Sequence, residues 1–184
     1  FDPSRIGVGP PREVSQPPID LDRFVEGEDS DFFRWSPGIL SAEGASANRL
    51  LQMADMPLED PRRQIANYRI VLSPDEAGLY EFWAACAPLF GNANADLEVR
   101  ANNGAPRPIR GSDQPQAYAV RLEDGSEHTV SWERLGVFPM DAGVNLLQLR
   151  LSGEGPQLID RIGWVRKDKD TPQERNPPIG VSQK

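Results

Sequence analysis

Glu26, Glu28 and Asp160 are the residues whose type and spacing could do chemistry. Glu26 and Glu28 stand two apart in Val25-Glu26-Gly27-Glu28-Asp29, which in a strand puts both carboxylates on one side. Like charges so placed repel unless solvent or a cation lies between them. Asp160 falls in Gln157-Leu158-Ile159-Asp160-Arg161-Ile162-Gly163-Trp164-Val165-Arg166, on the face expected to be apolar. A lone carboxylate there costs several kcal/mol unless an arginine such as Arg161 or Arg49 pairs with it, or a cation binds it.

Covalent and acid–base catalysis find less to work with. His128 is the single histidine, no serine or cysteine nucleophile motif accompanies it, and it reads as a surface residue of a strand. No glycine-rich phosphate loop, histidine-rich metal motif or nucleophile elbow occurs. With 28 acids in the chain, no pair of carboxylates is singled out for glycoside hydrolysis. The expectation is a protein that is not itself an enzyme.

Two runs must position Asp160. In residues 143–151, Val144, Leu146 and Leu149 are expected to face one core; in 157–166, Leu158, Ile162 and Trp164 recur at even spacing. The polar break between them reads as a turn, so the two runs are expected to pair as a hairpin. A second hairpin is expected between 66–72, with Tyr68, Ile70 and Leu72 inward, and 79–84, across Ser73-Pro74-Asp75-Glu76-Ala77-Gly78. Residues 95–101 alternate and end in the turn signal Asn102-Asn103-Gly104. Residues 116–122 and 127–132 read as a pair joined by Glu123-Asp124-Gly125-Ser126, with 134–138 as a further strand. Trp132 and Trp164, inside these strand patterns, are expected in the core. Eighteen prolines and sixteen glycines between short apolar runs exclude long helices. The predicted class is all-β, a two-sheet antiparallel β-sandwich of the jelly-roll kind.

The ends differ from the middle. Residues 1–20 are proline-rich and read as a linker or arm, 21–166 as the sandwich domain, and 167–184 as a polar, proline-containing tail. A formal charge of −8 disfavours nucleic acid and anionic membranes as partners. No apolar run reaches the roughly 18 residues that mark a membrane-spanning helix. Cys86 is the only cysteine, which leaves no intramolecular disulfide, and its alanine neighbours mark it as a small buried filler. The chain opens on Phe1 and reads as a processed or excised piece.

The order of these pieces resembles the β-sandwich carbohydrate-binding modules of families 6 and 35. The likeness covers about residues 24–166. It is carried by Val25-Glu26-Gly27-Glu28, Ala77-Gly78-Leu79-Tyr80-Glu81-Phe82, Ala142-Gly143-Val144-Asn145-Leu146-Leu147-Gln148-Leu149 and Leu158-Ile159-Asp160-Arg161-Ile162. The resemblance implies a galactose-binding-like fold and a non-catalytic module of a larger secreted or cell-surface protein. It implies a polysaccharide or oligosaccharide partner and an extracellular, periplasmic or cell-surface location. It also implies a structural calcium on Glu26, Glu28 and Asp160, with backbone carbonyls completing a shell of hard oxygen ligands. Gly27 between the two acids and the insertion around residues 53–65 depart from the family pattern.

Sugar rings present apolar faces and hydroxyls, so such a site needs an exposed aromatic platform ringed by amides, acids or arginines. Trp35, with Phe33 and Arg34, is the best platform in the sequence; the alternative is a packed loop anchor. Asn102, Asn103, Arg107, Arg110 and Tyr118 form a second polar group, for which turn chemistry is the alternative. The same sandwich could instead be a structural or assembly subunit whose extended termini lie on neighbouring protein subunits.

Overall fold

The computed structural model describes residues 17, 19–31, 38–53, 65–88, 97–109, 116–151 and 157–167. Its strands are β1 (Arg23–Glu26), β2 (Ile39–Glu43), β3 (Arg49–Met53), β4 (Ile65–Leu72), β5 (Gly78–Pro88), β6 (Leu97–Ala101), β7 (Arg107–Pro108), β8 (Ala117–Leu122), β9 (Glu127–Met140), β10 (Gly143–Leu151) and β11 (Gln157–Arg166). They form two antiparallel sheets, one of seven strands and one of four in the order β4-β10-β6-β7, packed as the expected β-sandwich.

The larger sheet curls on itself. β11 pairs with β5, β5 with β9, β9 with β8, β8 with β2, β2 with β3, and β3 with β11 again. The circuit closes through the short β2–β8 contact, Ala42 opposite Leu122 and Glu43 opposite Arg121. β1 lies along Arg161–Trp164 on the β11 edge that β3 uses at Gln157–Ile159.

Two apolar clusters follow from this shape. The main core, between the sheets, holds Tyr68, Ile70, Phe82, Leu147, Leu149, Ile162 and Trp164 among others. The second sits inside the curl, where Trp83, Trp132, Leu50, Val120 and Leu158 meet Ala42, Ala85 and Ala87. Small residues opposite two indoles are what a narrow enclosed layer requires. β5 is buried on both faces, with Tyr80, Phe82, Ala84 and Cys86 toward the main core and Trp83, Ala85 and Ala87 toward the curl. Cys86 is a free, buried thiol pushed up to about 12 by desolvation and by the Glu133 carboxylate.

The structure corrects both predicted hairpins. β10 pairs with β4 and β6 in the smaller sheet, whereas β11 pairs with β1, β3 and β5 in the larger one. β4 and β5 likewise belong to opposite sheets. Strands that follow one another in the chain, β4 and β5 as well as β10 and β11, therefore lie in opposite layers. The phase of β10 is also corrected: Asn145, Leu147, Leu149 and Leu151 are buried, Leu146 is half-buried, and Val144 is 69% exposed beside its partner Val71 at 62%. The β8–β9 pair stands as expected, but β9 is a single strand through residue 140.

β9 and β11 reach both clusters because each carries a bulge where it pairs with β5. In β9 the register shifts next to Gly136, whose φ of 123° is open to glycine and costly for other residues. Val130 and Trp132 before the shift enter the curl; Leu135, Phe138 and Met140 after it enter the main core. In β11 the extra residue is Asp160.

Candidate functional site

The bulge explains how an aspartate comes to be fully buried. Asp160 Oδ1 accepts the Ser46 backbone N–H at 2.8 Å, and Oδ2 accepts the Tyr118 hydroxyl. Ser46 opens the single 3-10 turn between β2 and β3, so three loops and strands converge on one carboxylate. The same Ser46 donates its hydroxyl to Glu26 Oε1 at 2.9 Å. Glu26 ends β1 and Glu28 lies in the 3-10 turn Gly27–Asp29, so the two acids do not share the strand face the sequence implies. Gly27 brings this turn against β11: a Cβ there would stand 2.2 Å from the Ile159 carbonyl oxygen. Tyr68 donates to the Gly27 carbonyl at 3.1 Å from below.

Neither Arg161 nor Arg49 forms the ion pair that was the alternative for Asp160. The Arg161 guanidinium stacks over Phe24 at 5.0 Å and Trp132 at 5.4 Å, and its Nε is buried without a hydrogen-bond partner. Burial pushes the Asp160 carboxyl up to about 6; the hydrogen bonds from Tyr118 and Ser46 and the nearby Arg161 charge oppose this, and Glu26 adds to it. Glu28 is likewise raised, first by burial and then by Glu26 and Asp29, while its own backbone N–H and, more weakly, Arg49 pull the other way. Burial raises both tyrosines as well, so each is a hydroxyl donor at any physiological pH.

The fit of this cluster to a cation can be read from its unused atoms. Glu26 Oε2 and Glu28 Oε2 are buried without hydrogen-bond partners, the condition a hard cation relieves. Each Asp160 oxygen accepts one hydrogen bond and keeps a second lone pair. Among the described residues, no three Asp, Glu, His or Cys side chains close to a group that could hold a metal ion as they stand. Gly27→Ala is expected to destabilise the fold by about 1 to 3 kcal/mol, because backbone rather than a mobile side chain blocks the added methyl. Urea unfolding of parent and variant measures it, and an unchanged midpoint would mean that the turn can lift off β11.

Among the described residues proposed for sugar contact, Tyr118 stands apart from the others. Tyr118 is drawn into the Asp160 cluster and is far in the fold from Asn102 and Asn103, which follow β6 in the other sheet. Asn102 has a φ of 50° and ties its turn to β10: its Nδ2 donates to Asn145 Oδ1 at 2.9 Å and its Oδ1 accepts from the Leu146 N–H at 2.8 Å. Asn103 lies beside it on a shallow cavity of about 370 Å³ shared with Arg100, Asp141 and Val144. Arg107 sits at the sheet edge over the Phe138 ring at 5.3 Å. Phe33, Arg34, Trp35 and Arg110 lie outside the described residues.

A larger cleft, of about 540 Å³, opens beside the β8–β9 turn. Ile39, Leu40 and Leu122 give it an apolar side; Ser41, Gln52, Ser126 and His128 supply hydrogen-bonding groups; Glu123 and Asp124 stand at the turn. The turn is pinned by Asp124 Oδ1, which accepts the Ser126 N–H at 2.8 Å and its hydroxyl at 2.6 Å, and Ser126 Oγ lies 3.2 Å from His128 Nε2. Asp124 contacts the serine rather than the imidazole, so these residues do not form a nucleophile relay. Sequence reasoning treated Glu123 to Ser126 only as a turn and His128 only as a surface residue. The available signal was the polar alternation of β9, with Ser126 and His128 on one side.

No protein-family model matches the chain, and no curated protein sequence matches it. Among solved structures it is similar to a Podospora anserina GH26-CBM35 β-(1,4)-mannanase, at 18% identity over 87% of this chain and 29% of that one, with a TM-score of 0.47. A ruminal GH26 endo-β-1,4-mannanase matches at 12% identity over 84% of this chain and 27% of that one, TM-score 0.47. The exo-β-1,3-galactanase of Phanerochaete chrysosporium, solved with galactose, matches at 17% identity over 78% of this chain and 29% of that one, TM-score 0.46. The chain spans less than a third of each of these structures.

Proposed function

We propose that this chain is a non-catalytic carbohydrate-binding module of a larger secreted or cell-surface protein, directed at a polysaccharide. The observation that carries the reading is the cleft beside the β8–β9 turn. An apolar wall of Ile39, Leu40 and Leu122 faces amide, hydroxyl and imidazole groups, the mixture that suits a sugar ring with one apolar face and a rim of hydroxyls. The segment that carries Phe33 and Trp35 precedes Gly38, whose carbonyl accepts the Gln52 N–H at 2.8 Å on the cleft's border. A structural calcium belongs to the same proposal, with Glu26, Glu28 and Asp160 as its holders. The ion would neutralise the buried Asp160 and the two half-buried glutamates and tie β1 to β11.

Gln52→Ala combined with His128→Ala should weaken retention on a bound polysaccharide about tenfold, since each lost neutral hydrogen bond is worth about 0.5 to 1.5 kcal/mol. The melting temperature should stay within a few degrees of the parent. Trp35→Ala should abolish retention at unchanged stability if the indole is the stacking platform. Affinity electrophoresis against a panel of soluble polysaccharides reads all three proteins. Absence of retention by the parent on every glycan, with calcium present, would end the reading.

A further inference from the structure

The cleft has a sign. Glu123 and Asp124 stand on its rim, and it runs on into a second groove of about 340 Å³ that shares Ser41, Leu122 and Glu123 and adds Glu43 and Arg121. Arg121 brings the one lysine or arginine among the described lining residues of the two, and Glu127 holds its guanidinium through Nε at 3.2 Å and Nη2 at 2.5 Å. The Ser126 hydroxyl and N–H on Asp124 hold its carboxyl below the usual range, so it stays charged. His128 completes the titratable lining. A concave surface lined by carboxylates, on a chain of net charge −8, raises the local concentration of cations and lowers that of anions.

We infer that this surface ranks glycans by charge: amino sugars bearing a free ammonium bind best, neutral sugars less well, and uronate-bearing sugars worst, with Glu123 setting the rank because it borders both grooves. The inference rests on the carbohydrate-binding reading of the same cleft and adds the class of sugar. An ammonium group finds carboxylates at Glu123 and Asp124 as charge-assisted partners. A uronate carboxylate finds no free guanidinium or ammonium among the described lining residues, since Arg121 already has its partner. Neutral hydroxyls are served by Ser41, Gln52 and Ser126 whatever the charge around them.

The test compares length-matched oligomers of β-linked glucosamine, of mannose and of galacturonate, titrated calorimetrically into the whole chain at low and at high salt. Glucosamine oligomers should bind at least tenfold more tightly than galacturonate oligomers at low salt, with mannose between them, and the spread should shrink as salt screens the rim. Glu123→Gln should narrow the glucosamine-to-galacturonate ratio by about two- to fivefold, the range of an exposed charge pair. Glu98→Gln, on the outer face of the four-stranded sheet, removes one unit of net charge elsewhere and should leave the ratio unchanged. Galacturonate binding as tight as mannose, or an equal effect of Glu98→Gln and Glu123→Gln, would overturn the inference while leaving carbohydrate binding in place. If none of the oligomers binds, both readings fall.

Discussion

Ile162→Ala is expected to lower the unfolding free energy by about 2 to 5 kcal/mol, through the lost transfer of buried methylenes and the cavity left behind. Ile162 is fully buried in β11, opposite Val25 of β1 and Ala84 of β5, and lies in the main core with Phe82 and Trp164. Ala84, Phe82 and Trp164 belong to β5 and β11, which have hydrogen-bonded partners on both sides, so the site collapses poorly and the upper half of the range is the better expectation. Val144→Ala is the matching control: its side chain is 69% exposed, and its effect should stay within about 0.5 kcal/mol. Urea unfolding gives both values. Equal midpoints for the two variants would mean that the main core does not close as described.

Asp160 should give the chain an unusual pH response. Its folded-state carboxyl titrates near 6, above the value of about 3.9 for an unfolded aspartate. The folded state therefore binds this proton more tightly than the unfolded state does. The stability so contributed is fully present below about pH 4 and is lost as pH rises through 6, a change of about 3 kcal/mol. Glu76 works in the opposite sense: the Ser73 N–H and hydroxyl and Arg23 hold it down to about 2, so its contribution is lost only in acid. The informative quantity is the difference between parent and Asp160→Asn, measured in chelator. The variant should gain on the parent by about 3 kcal/mol between pH 4 and pH 7.5.

Calcium should reverse that gain, because a cation favours the ionised acids. Each tenfold rise above its dissociation constant should add about 1.4 kcal/mol to the parent, and less to Asp160→Asn. A parent curve indifferent to chelator and to added calcium would leave the Ser46 and Tyr118 hydrogen bonds as the whole account of Asp160.

How far the fold could be read from the residues depended on whether a strand kept one face throughout. β4 does, and its inward Tyr68, Ile70 and Leu72 are where alternation puts them. β11 does not. Leu158, Ile162 and Trp164 share parity, which implies one face, yet Leu158 lies in the curl and the other two in the main core, because the bulge at Asp160 inserts a residue between them. A bulge leaves no trace in hydrophobic periodicity. The misplaced acid was itself the available sign, since a carboxylate in an apolar run marks the point where the run changes partners. The two predicted hairpins failed for a related reason: a short polar stretch between two strand patterns does not say whether the strands share a sheet, and here each pair is split between the two.

Of the site, the approach of the first and last strands was legible, since β1 does lie on β11 with Glu26 opposite Arg161. What the acids touch was not. Ser46 and Tyr118 come from chain positions remote from all three, and only the closed circuit of strands brings them in. The cleft beside the β8–β9 turn was hidden in the same way, because Gln52 and His128 meet only through the β2–β8 contact.

That closed circuit also decides where this chain is open to other chains. A strand with an unpaired edge is a template for foreign backbone, and a closed sheet removes the template. Six strands of the larger sheet have neighbours on both sides, so their amide protons should exchange with solvent slowly and together. The seam most prone to open is β2–β8, which is held by only two register pairs, Ala42 with Leu122 and Glu43 with Arg121. The outer edge of β4 is different: Asp31 donates its N–H to the Asn67 carbonyl at 2.6 Å, capping one group, while Val71 stands exposed farther along the same strand. An added strand can dock along this edge of β4, and Val71→Lys should suppress self-association there by placing a charge beside the docking strand.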